Sequence, residues 1–540
     1  MASLLAYQGG FLLGSLVSLW FARGVDCADY PGAATAFTKL PAWRNAGLAE
    51  HWPTDQNSRE GGYEAKNMKG KAPPGEPDSP CFPLLIFSHG LGGTRTTYSS
   101  LCGEFASCGF VIVALEHRDG SGPRSFINLP KDRVNPADSK AETSRSRRKR
   151  EKVYSRIDYI FPKDNPMDTA PGNKTGVDSK LRSAQIQLRL AEIEEAYHVM
   201  TLIHDGKGEQ VAAANLRIKE PGRVGGSTRG LRGINWASWK DRFHLKQVTM
   251  LGHSFGAATT IEVLRHHERF QNIGQGIIYD IWGAAIQPPE DDPGHRIHTP
   301  LLAINSEAFM YWPNNFEAVM SLCKEAKEQD VLAWLMTVRG SVHISQSDFS
   351  LLYPRIASLF LKMTVNPRRA IDLNINASLE FLKEVMPARI SSVNRSTNEH
   401  LLSVSTLDEL PSERRPENKY VAVRLKIPHE ARVRLTPRWV RRRERKKRAE
   451  DVDVLPKDPK GRVFEDLQGL EPGEDVWMHV APTKEELERH GLEPQKKLRK
   501  NQADGMVDFE GKEEHERRHD RQEEGRHESI GIERRYMERG

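Results

Sequence analysis

At 540 residues the chain is too long for one ordinary core, and with 38% hydrophobic and 28% charged residues it should fold one enzyme-sized body with charged segments attached. Five cysteines without a C-x-x-C pair exclude a disulfide framework and a cysteine zinc site, which favours a reducing compartment. The net charge of +6 is mild for this length, and its clumps, RSRRKR at 145–150 and RRRERKKR at 441–448, come without paired Cys/His fingers or an RNP aromatic strip, so no nucleic-acid partner is expected.

Residues 1–22 carry no charged side chain and stop at Arg23. That leaves a signal or anchor open beside an interfacial or buried helix, because no Lys or Arg precedes the run and Gln8, Gly9 and Gly10 interrupt it. The expected location is cytoplasmic or peripheral to a membrane, with anchoring or secretion through residues 1–22 as the alternative. Residues 24–80 are Pro-, Gly- and polar-rich, so 1–82 reads as an apolar segment and linker.

Regularity starts at PLLIFSHG (83–90) and FVIVALEHRDG (110–120), short apolar runs flanking a helical stretch at 96–109. Strands without strict alternation are buried on both faces, as in a parallel α/β sheet. The polar stretch 119–178 is far longer than an ordinary βα loop and reads as a lid-like insertion or a disordered excursion. From Ser179 to His204 the residues Ile186, Leu190, Ile193, Tyr197, Met200 and Ile203 step by three or four, the stripe of one long helix.

Further strand runs follow at 247–252, 276–282, 300–307 and 334–340, and NASLEFLKEVM closes the body near residue 386. This alternation gives a mostly parallel, doubly wound sheet. The catalytic body is therefore expected over 83–386, with 387–540 a charged, largely disordered extension. Within it ENKYVAVRLKIP and GEDVWMHVAPTKEELERHG keep some pattern, the second with Thr483 and Glu486 placed as a capping box.

The chemistry centres on GHSFG at 252–256. The pentapeptide is weak by itself, but an apolar strand precedes it and a helical run follows it, as a nucleophile elbow requires. GGSTR at 225–229, a near miss in a glycine-rich loop, lacks that strand. Ser254 is the expected nucleophile. A hydroxyl needs a base and the base an orienting carboxylate, which follow the serine in the order acid, then histidine. Asp280 and His343 each end a strand run, where an open α/β sheet places its site. Rivals are worse placed: Asp291 and Asp292 lie in a Pro-rich loop, Asp348 follows the histidine, and His266 and His267 fall in the helix after the elbow. The H-x-x-H at 295–298 has neither a helix nor a Glu nor a third ligand to make a metal site, so no metal is expected. The oxyanion donors are expected to be the backbone N–H groups of Phe255, next to the serine, and of Leu91 in HGLGG.

The segments PLLIFSHGLGGTRTTYSSLCGEFASCGFVIVALEHRDGS, LGHSFGAATTIEVL, GIIYDIWG, INSEAFMYWP and TVRGSVHISQSDF together resemble the platelet-activating-factor acetylhydrolases of the plasma and intracellular lipase-like type, over roughly residues 80–385. The resemblance implies an α/β-hydrolase fold and a calcium-independent phospholipase without cofactor, which removes short or oxidised acyl groups from the sn-2 position of glycerophospholipids. It implies the triad Ser254, Asp280 and His343, oxyanion donors at Leu91 and Phe255, and an acyl pocket bordered by Trp282, Phe309 and Tyr311. Phospholipid is then the partner, with peripheral membrane contact. Two departures stand out: Ala257 replaces a usual glycine, and the strand pair that ordinarily precedes the HGLG strand is not found in the first 82 residues.

A generic carboxylesterase or lipase of the same fold is a competing expectation, and a non-catalytic scaffold that binds membrane or nucleic acid through the basic clusters is another. Asn173, Asn376 and Asn394 head N-x-S/T sequons, which matter only in a secreted chain.

Overall fold

The structure is a computed structural model of the chain and describes residues 47–52, 70–130, 153–160, 176–218, 223–224, 231–353, 357, 361–394, 400–411 and 475–492. The expectations for residues 1–22, the basic clusters, the near-miss GGSTR, ENKYVAVRLKIP and Asn173 lie outside these residues. Among the described residues no helix is long and apolar enough to cross a membrane.

In chain order the elements that place the site are β1 (Leu84–Ser88), α1 (Ser99–Ser107), β2 (Val111–Ala114), β3 (Arg124–Asn128), β4 (Tyr154–Asp158), α2 (Ser179–His204), β5 (Val248–His253), α3 (Phe255–Arg265), β6 (Ile273–Tyr279), β7 (Leu301–Ser306), α4 (Pro313–Glu328), β8 (Ala333–Val338), α5 (Pro367–Val385), β9 (Val476–Val480) and α6 (Lys484–Arg489). Seven strands form one sheet in the order β2-β1-β5-β6-β7-β8-β9, parallel throughout except for β9, which runs antiparallel to β8. The mostly parallel α/β fold expected from the sequence is the fold found.

Alternate strand residues enter different cores, which is why the strands read as unbroken apolar runs. Leu84, Ile86, Met250, Ile278, Ala303 and Leu335 pack with α2, α3 and α4. Leu85, Phe87, Leu251, Ile277, Ile304 and Met336 pack with α1 and α5 on the other face. The helix α2 has the bounds its periodicity suggests, with Asp178 accepting from the Leu181 N–H as its cap. It also buries Arg182, Gln185, Arg189 and Glu192, polar residues that the apolar stripe does not announce.

The structure adds three features to these expectations. First, the sheet does not end with the body at residue 386: β9 adds its edge strand from the stretch expected as extension, with Val476 and Met478 buried among α5 residues. Ile390, Val393, Leu401 and Leu402 are buried as well. The capping box of Thr483 and Glu486 opens α6 as its spacing indicates. Second, the 119–178 insertion contains an antiparallel pair, β3 with β4. Third, Asn376 is buried within α5 and the Asn394 amide donates to the Leu379 carbonyl at 2.9 Å, so neither sequon presents its nitrogen. Among the described residues no strand precedes Leu84, although Trp52 bridges Gly70 and Phe82 bridges Phe243.

Candidate active site

At the carboxyl end of β5 the chain turns directly into α3, and the turn residue Ser254 has φ 59° and ψ −118°. A non-glycine residue at this φ is strained and persists only where its surroundings hold it. The glycines explain how they do. A Cβ on Gly256 would stand 2.1 Å from the Ser88 carbonyl oxygen, and one on Gly252 would stand 2.2 Å from the Gly256 carbonyl oxygen. Helix α3 can therefore approach β1 only with glycine at 256, and fold back against the end of β5 only with glycine at 252. Gly90 of the HGLGG loop is equally constrained, because its Cβ would lie 2.7 Å from the Ser254 Cβ. The Ser254 N–H donates to the Tyr279 carbonyl at 2.9 Å, and its own carbonyl accepts from Trp282 at 3.2 Å, which ties the elbow to the end of β6.

Asp280 follows β6, fully buried and itself at φ 42°. Its carboxylate accepts from the Ser306 N–H, from the Ser306 hydroxyl at 2.5 Å, and from His343 Nδ1 at 3.1 Å. Ser306 ends β7, and His343 opens the turn after β8. The His343 side chain is 30% exposed, against 0% for Asp280, so one side of the imidazole is oriented and the other is accessible. The ring lies between Phe309, stacked at 4.3 Å and 1°, and His253, stacked at 4.4 Å and 29°. Among the described residues no hydrogen bond joins the Ser254 hydroxyl to His343; such contacts are often long until substrate closes the site.

Phe255 is the first residue of α3, so its N–H is one of the donors a helix start leaves without a partner in the helix. Leu91 lies in the loop braced by Gly92 donating to the Ser121 carbonyl at 2.7 Å and Gly93 donating to the Gly90 carbonyl at 3.1 Å. Among the described residues neither the Leu91 nor the Phe255 N–H donates to a protein acceptor.

The aromatics named for the acyl pocket separate. Phe309 touches the His343 ring, whereas Trp282 packs edge-on against Phe255 at 6.0 Å within the core that holds α2 and α3. Tyr311 is half-buried beside that core. The rival acids and histidines have other duties. Asp348 caps α1 by accepting from Ser99 and Ser100 N–H groups at 2.8 and 2.9 Å, and His266 bonds the Glu262 carbonyl one turn back.

A second serine–histidine contact lies under the HGLGG loop. Ser88 Oγ is 2.8 Å from His117 Nε2, and His117 Nδ1 is 2.7 Å from Glu192 Oε2. Burial, reinforced by the Arg189 charge, pushes His117 well below the ordinary histidine range. Both Ser88 and His117 are 0% exposed. Arg189 stands beside this pair, donating to Asp119 Oδ2 at 2.7 Å, to the Ser121 hydroxyl at 2.6 Å and to the His89 carbonyl at 2.8 Å. Burial works against the Asp119 carboxylate, yet the Arg189 charge and the Ser121 hydroxyl hold its pKa well below the usual range. No sequence signal singled out these residues, although Arg182, Arg189 and Glu192 repeat at helical spacing beside the apolar stripe.

Among the described residues two side-chain groups bring possible metal ligands within 4.8 Å of one another: His253, Asp280 and His343, and Glu262, His266 and His295. The second supplies the Glu that the H-x-x-H spacing lacked, while His298 bonds the Pro293 carbonyl elsewhere. Neither donor set suits a cation. The Asp280 oxygens are already engaged as described, and His295 Nδ1 accepts from the Glu290 N–H, which leaves the proton of a neutral ring on Nε2, the nitrogen that faces Glu262. The Arg265 guanidinium also donates to Glu262 at 3.1 Å, a cation already in place.

A hydroxyl fixed at positive φ between strand and helix, with an imidazole that a buried carboxylate orients past the carboxyl end of another strand of the same sheet, supplies the parts that acyl transfer through a covalent intermediate requires. The sheet and the elbow accordingly place the molecule in the α/β-hydrolase class. Residues 65–397 match the family described as platelet-activating factor acetylhydrolase, isoform II, and the chain belongs to that family. It is 32% identical over 308 residues to a platelet-activating factor acetylhydrolase of Gallus gallus, covering 56% of this chain and 62% of that protein. Identity to the Canis lupus familiaris protein of the same name is 30% over 311 residues, 57% of this chain and 58% of the other. A putative phospholipase A2 of Schizosaccharomyces pombe is 26% identical over 336 residues, covering 57% of this chain and 69% of that protein. The match thus spans less than two thirds of the length of the two vertebrate relatives.

Proposed function

We propose that the chain is a calcium-independent esterase that hydrolyses the sn-2 acetyl or short acyl ester of glycerophospholipids, with Ser254 as nucleophile, His343 as base and Asp280 as its orienting carboxylate. The observation that carries the reading is the 3.1 Å contact between His343 Nδ1 and the buried Asp280 carboxylate, on the strand ends beside the Ser254 elbow. In this mechanism Ser254 Oγ attacks the ester carbonyl carbon as His343 Nε2 takes its proton, and Asp280 stabilises the resulting imidazolium. The oxyanion forms against the Leu91 and Phe255 N–H groups. Collapse breaks the ester bond, and His343 returns the proton to the departing lysophospholipid oxygen. Water then repeats the sequence on the acyl-serine and releases the short acid.

Family membership favours a phospholipid over other esters, and a lipid substrate goes with peripheral membrane contact. The Ser88–His117–Glu192 contact supports a second reading, in which Ser88 is the nucleophile. Its hydroxyl is wholly buried and Arg189 Nη1 approaches it at 3.4 Å, which favours Ser254 over it.

Fluorophosphonate labelling separates these readings. Ser254→Ala is expected to abolish labelling, and Ser88→Ala to retain it in whatever fraction folds; the reverse pattern would move the nucleophile to Ser88. Substrate class is read by comparing 2-acetyl and long-chain phosphatidylcholines with a soluble aryl ester. Activity on the aryl ester alone would leave a generic carboxylesterase, and no labelling at all would leave the scaffold reading.

A further inference from the structure

His253 occupies the variable position before the serine in GHSFG, yet both of its ring nitrogens are committed. Nε2 lies 3.1 Å from the main-chain carbonyl of His343, and Nδ1 lies 2.8 Å from the Tyr98 hydroxyl. A carbonyl oxygen only accepts, so the proton of the neutral ring sits on Nε2. Nδ1 is then an acceptor, and the Tyr98 O–H must donate to it. The phenol oxygen keeps its lone pairs for the Gly90 N–H, which approaches it at 3.4 Å. The directions are fixed from both ends: Gly90 N–H to Tyr98 O–H to His253, and His253 Nε2–H to the His343 carbonyl.

The ends of this chain are the two halves of the site. Gly90 immediately precedes Leu91, an oxyanion donor in the reading above, and packs against the Ser254 Cβ. The His343 carbonyl belongs to the residue that carries the base. The rings reinforce the chain, with Tyr98 tilted against His253 at 5.4 Å and His253 stacked on His343. Burial, and then the neighbouring His343, hold His253 well below the ordinary histidine range, so a second charge does not form beside the imidazolium.

We propose that Tyr98 and His253 are a positioning pair that sets the oxyanion loop and the His343 turn in register through one directed hydrogen-bond chain. This rests on Ser254 and His343 being the nucleophile and base. Neither Tyr98 nor His253 touches the reacting atoms; each acts through a residue that does. A merely structural pair would change stability alone, whereas a positioning pair changes turnover with little change in substrate binding.

The test uses the full chain and 4-nitrophenyl acetate. Tyr98→Phe removes one oxygen; it is expected to lower kcat about tenfold or more while KM stays within about twofold, with fluorophosphonate still labelling Ser254 to completion, only more slowly. His253→Leu is expected to lose as much or more, His253→Gln to recover part because its amide keeps one acceptor and one donor, and the Tyr98→Phe/His253→Leu double variant to be no worse than the poorer single. Wild-type kcat in Tyr98→Phe, a loss confined to KM, or losses that multiply in the double variant would each overturn the proposal. If Tyr98→Phe does not fold, the imidazole 15N spectrum of the wild-type chain decides, assigned by the signal lost in His253→Gln: a proton on Nε2 is required, and a proton on Nδ1 refutes the chain. Labelling that survives Ser254→Ala would instead fell the underlying reading and is distinguishable from all of these.

Discussion

Arg189, fully buried on α2, donates to the His89 carbonyl at 2.8 Å while its guanidinium stands 4.4 Å from the centre of the Phe255 ring. One side chain thus touches the HGLGG loop and the first residue of α3, the two segments that carry the proposed oxyanion donors. Its own charge is balanced by Asp119 at 2.7 Å, with both side chains 0% exposed. Breaking a buried pair leaves an uncompensated charge and costs about 3–5 kcal/mol, whereas removing both partners costs much less. Arg189→Met is therefore expected to lower the unfolding temperature sharply, and Arg189→Met/Asp119→Asn to recover part of the loss. A double variant as unstable as the single would show that the charge balance with Asp119 is not what Arg189 supplies.

Asp280→Asn tests the orienting carboxylate without disturbing the packing. The Ser306 hydroxyl and N–H already hold the group in place, so the amide should keep the position while presenting a donor or a weaker acceptor to His343 Nδ1. With the imidazole in the wrong tautomer and the imidazolium unsupported, kcat is expected to fall by about 10³–10⁴-fold on any ester, with KM little changed. Steady-state kinetics with 4-nitrophenyl acetate reads this directly. A loss smaller than tenfold would take the orienting role away from Asp280.

Much of this arrangement is legible in the sequence because its signals are local. Ser179–His204 shows itself as a helix by apolar steps of three and four, the parallel strands by unbroken apolar runs, and Thr483 with Glu486 by the capping-box spacing. Asp280 and His343 are conspicuous because each stands just past a strand run, and the structure brings them within 3.1 Å. What escapes the sequence depends on distant partners. Strand β9 pairs with β8 across well over a hundred residues, and its polar surroundings hide it. Arg189 looks like part of a solvated helix face until Asp119, Ser121 and His89 close around it. His253 looks unconstrained between Gly252 and Ser254 because Tyr98 and the His343 carbonyl reach it from other parts of the chain.

Glycine substitutions separate close approach from mere flexibility. A Cβ on Gly256 meets the Ser88 carbonyl oxygen at 2.1 Å, backbone that cannot swing aside, so Gly256→Ala is expected to cost about 3 kcal/mol or more and to remove activity with it. Gly103 is the contrast: it is exposed on α1, and nothing lies within 4 Å of its added Cβ. Gly103→Ala is expected to stabilise the chain by about 0.5–1 kcal/mol, because alanine loses less backbone freedom on entering a helix. Denaturant unfolding of both variants checks the pair. A Gly256→Ala variant as stable as wild type would mean that β1 and α3 are not in the contact described.

The edge strand β9 carries a titration that stability should report. Burial pushes the His479 pKa down to about 4 from the ordinary 6.5, and its Nε2 lies 2.8 Å from the Thr337 hydroxyl on β8. As pH falls below 6.5 the unfolded chain takes up a proton that the folded chain refuses. The stabilising effect of the neutral ring is therefore complete above about pH 6.5 and is lost progressively down to about pH 4, in total on the order of 3 kcal/mol. His89, His117 and His253 are also held well below the ordinary range, by burial first, so acid destabilises the wild-type chain by more than the His479 share. The difference between wild type and His479→Gln isolates that share: the variant should lose less of its unfolding free energy than wild type between pH 7.5 and pH 5. Equal losses in the two proteins would mean that half-buried His479 is not packed against β8 in solution, and with it the strand that joins the C-terminal segment to the sheet would be lost.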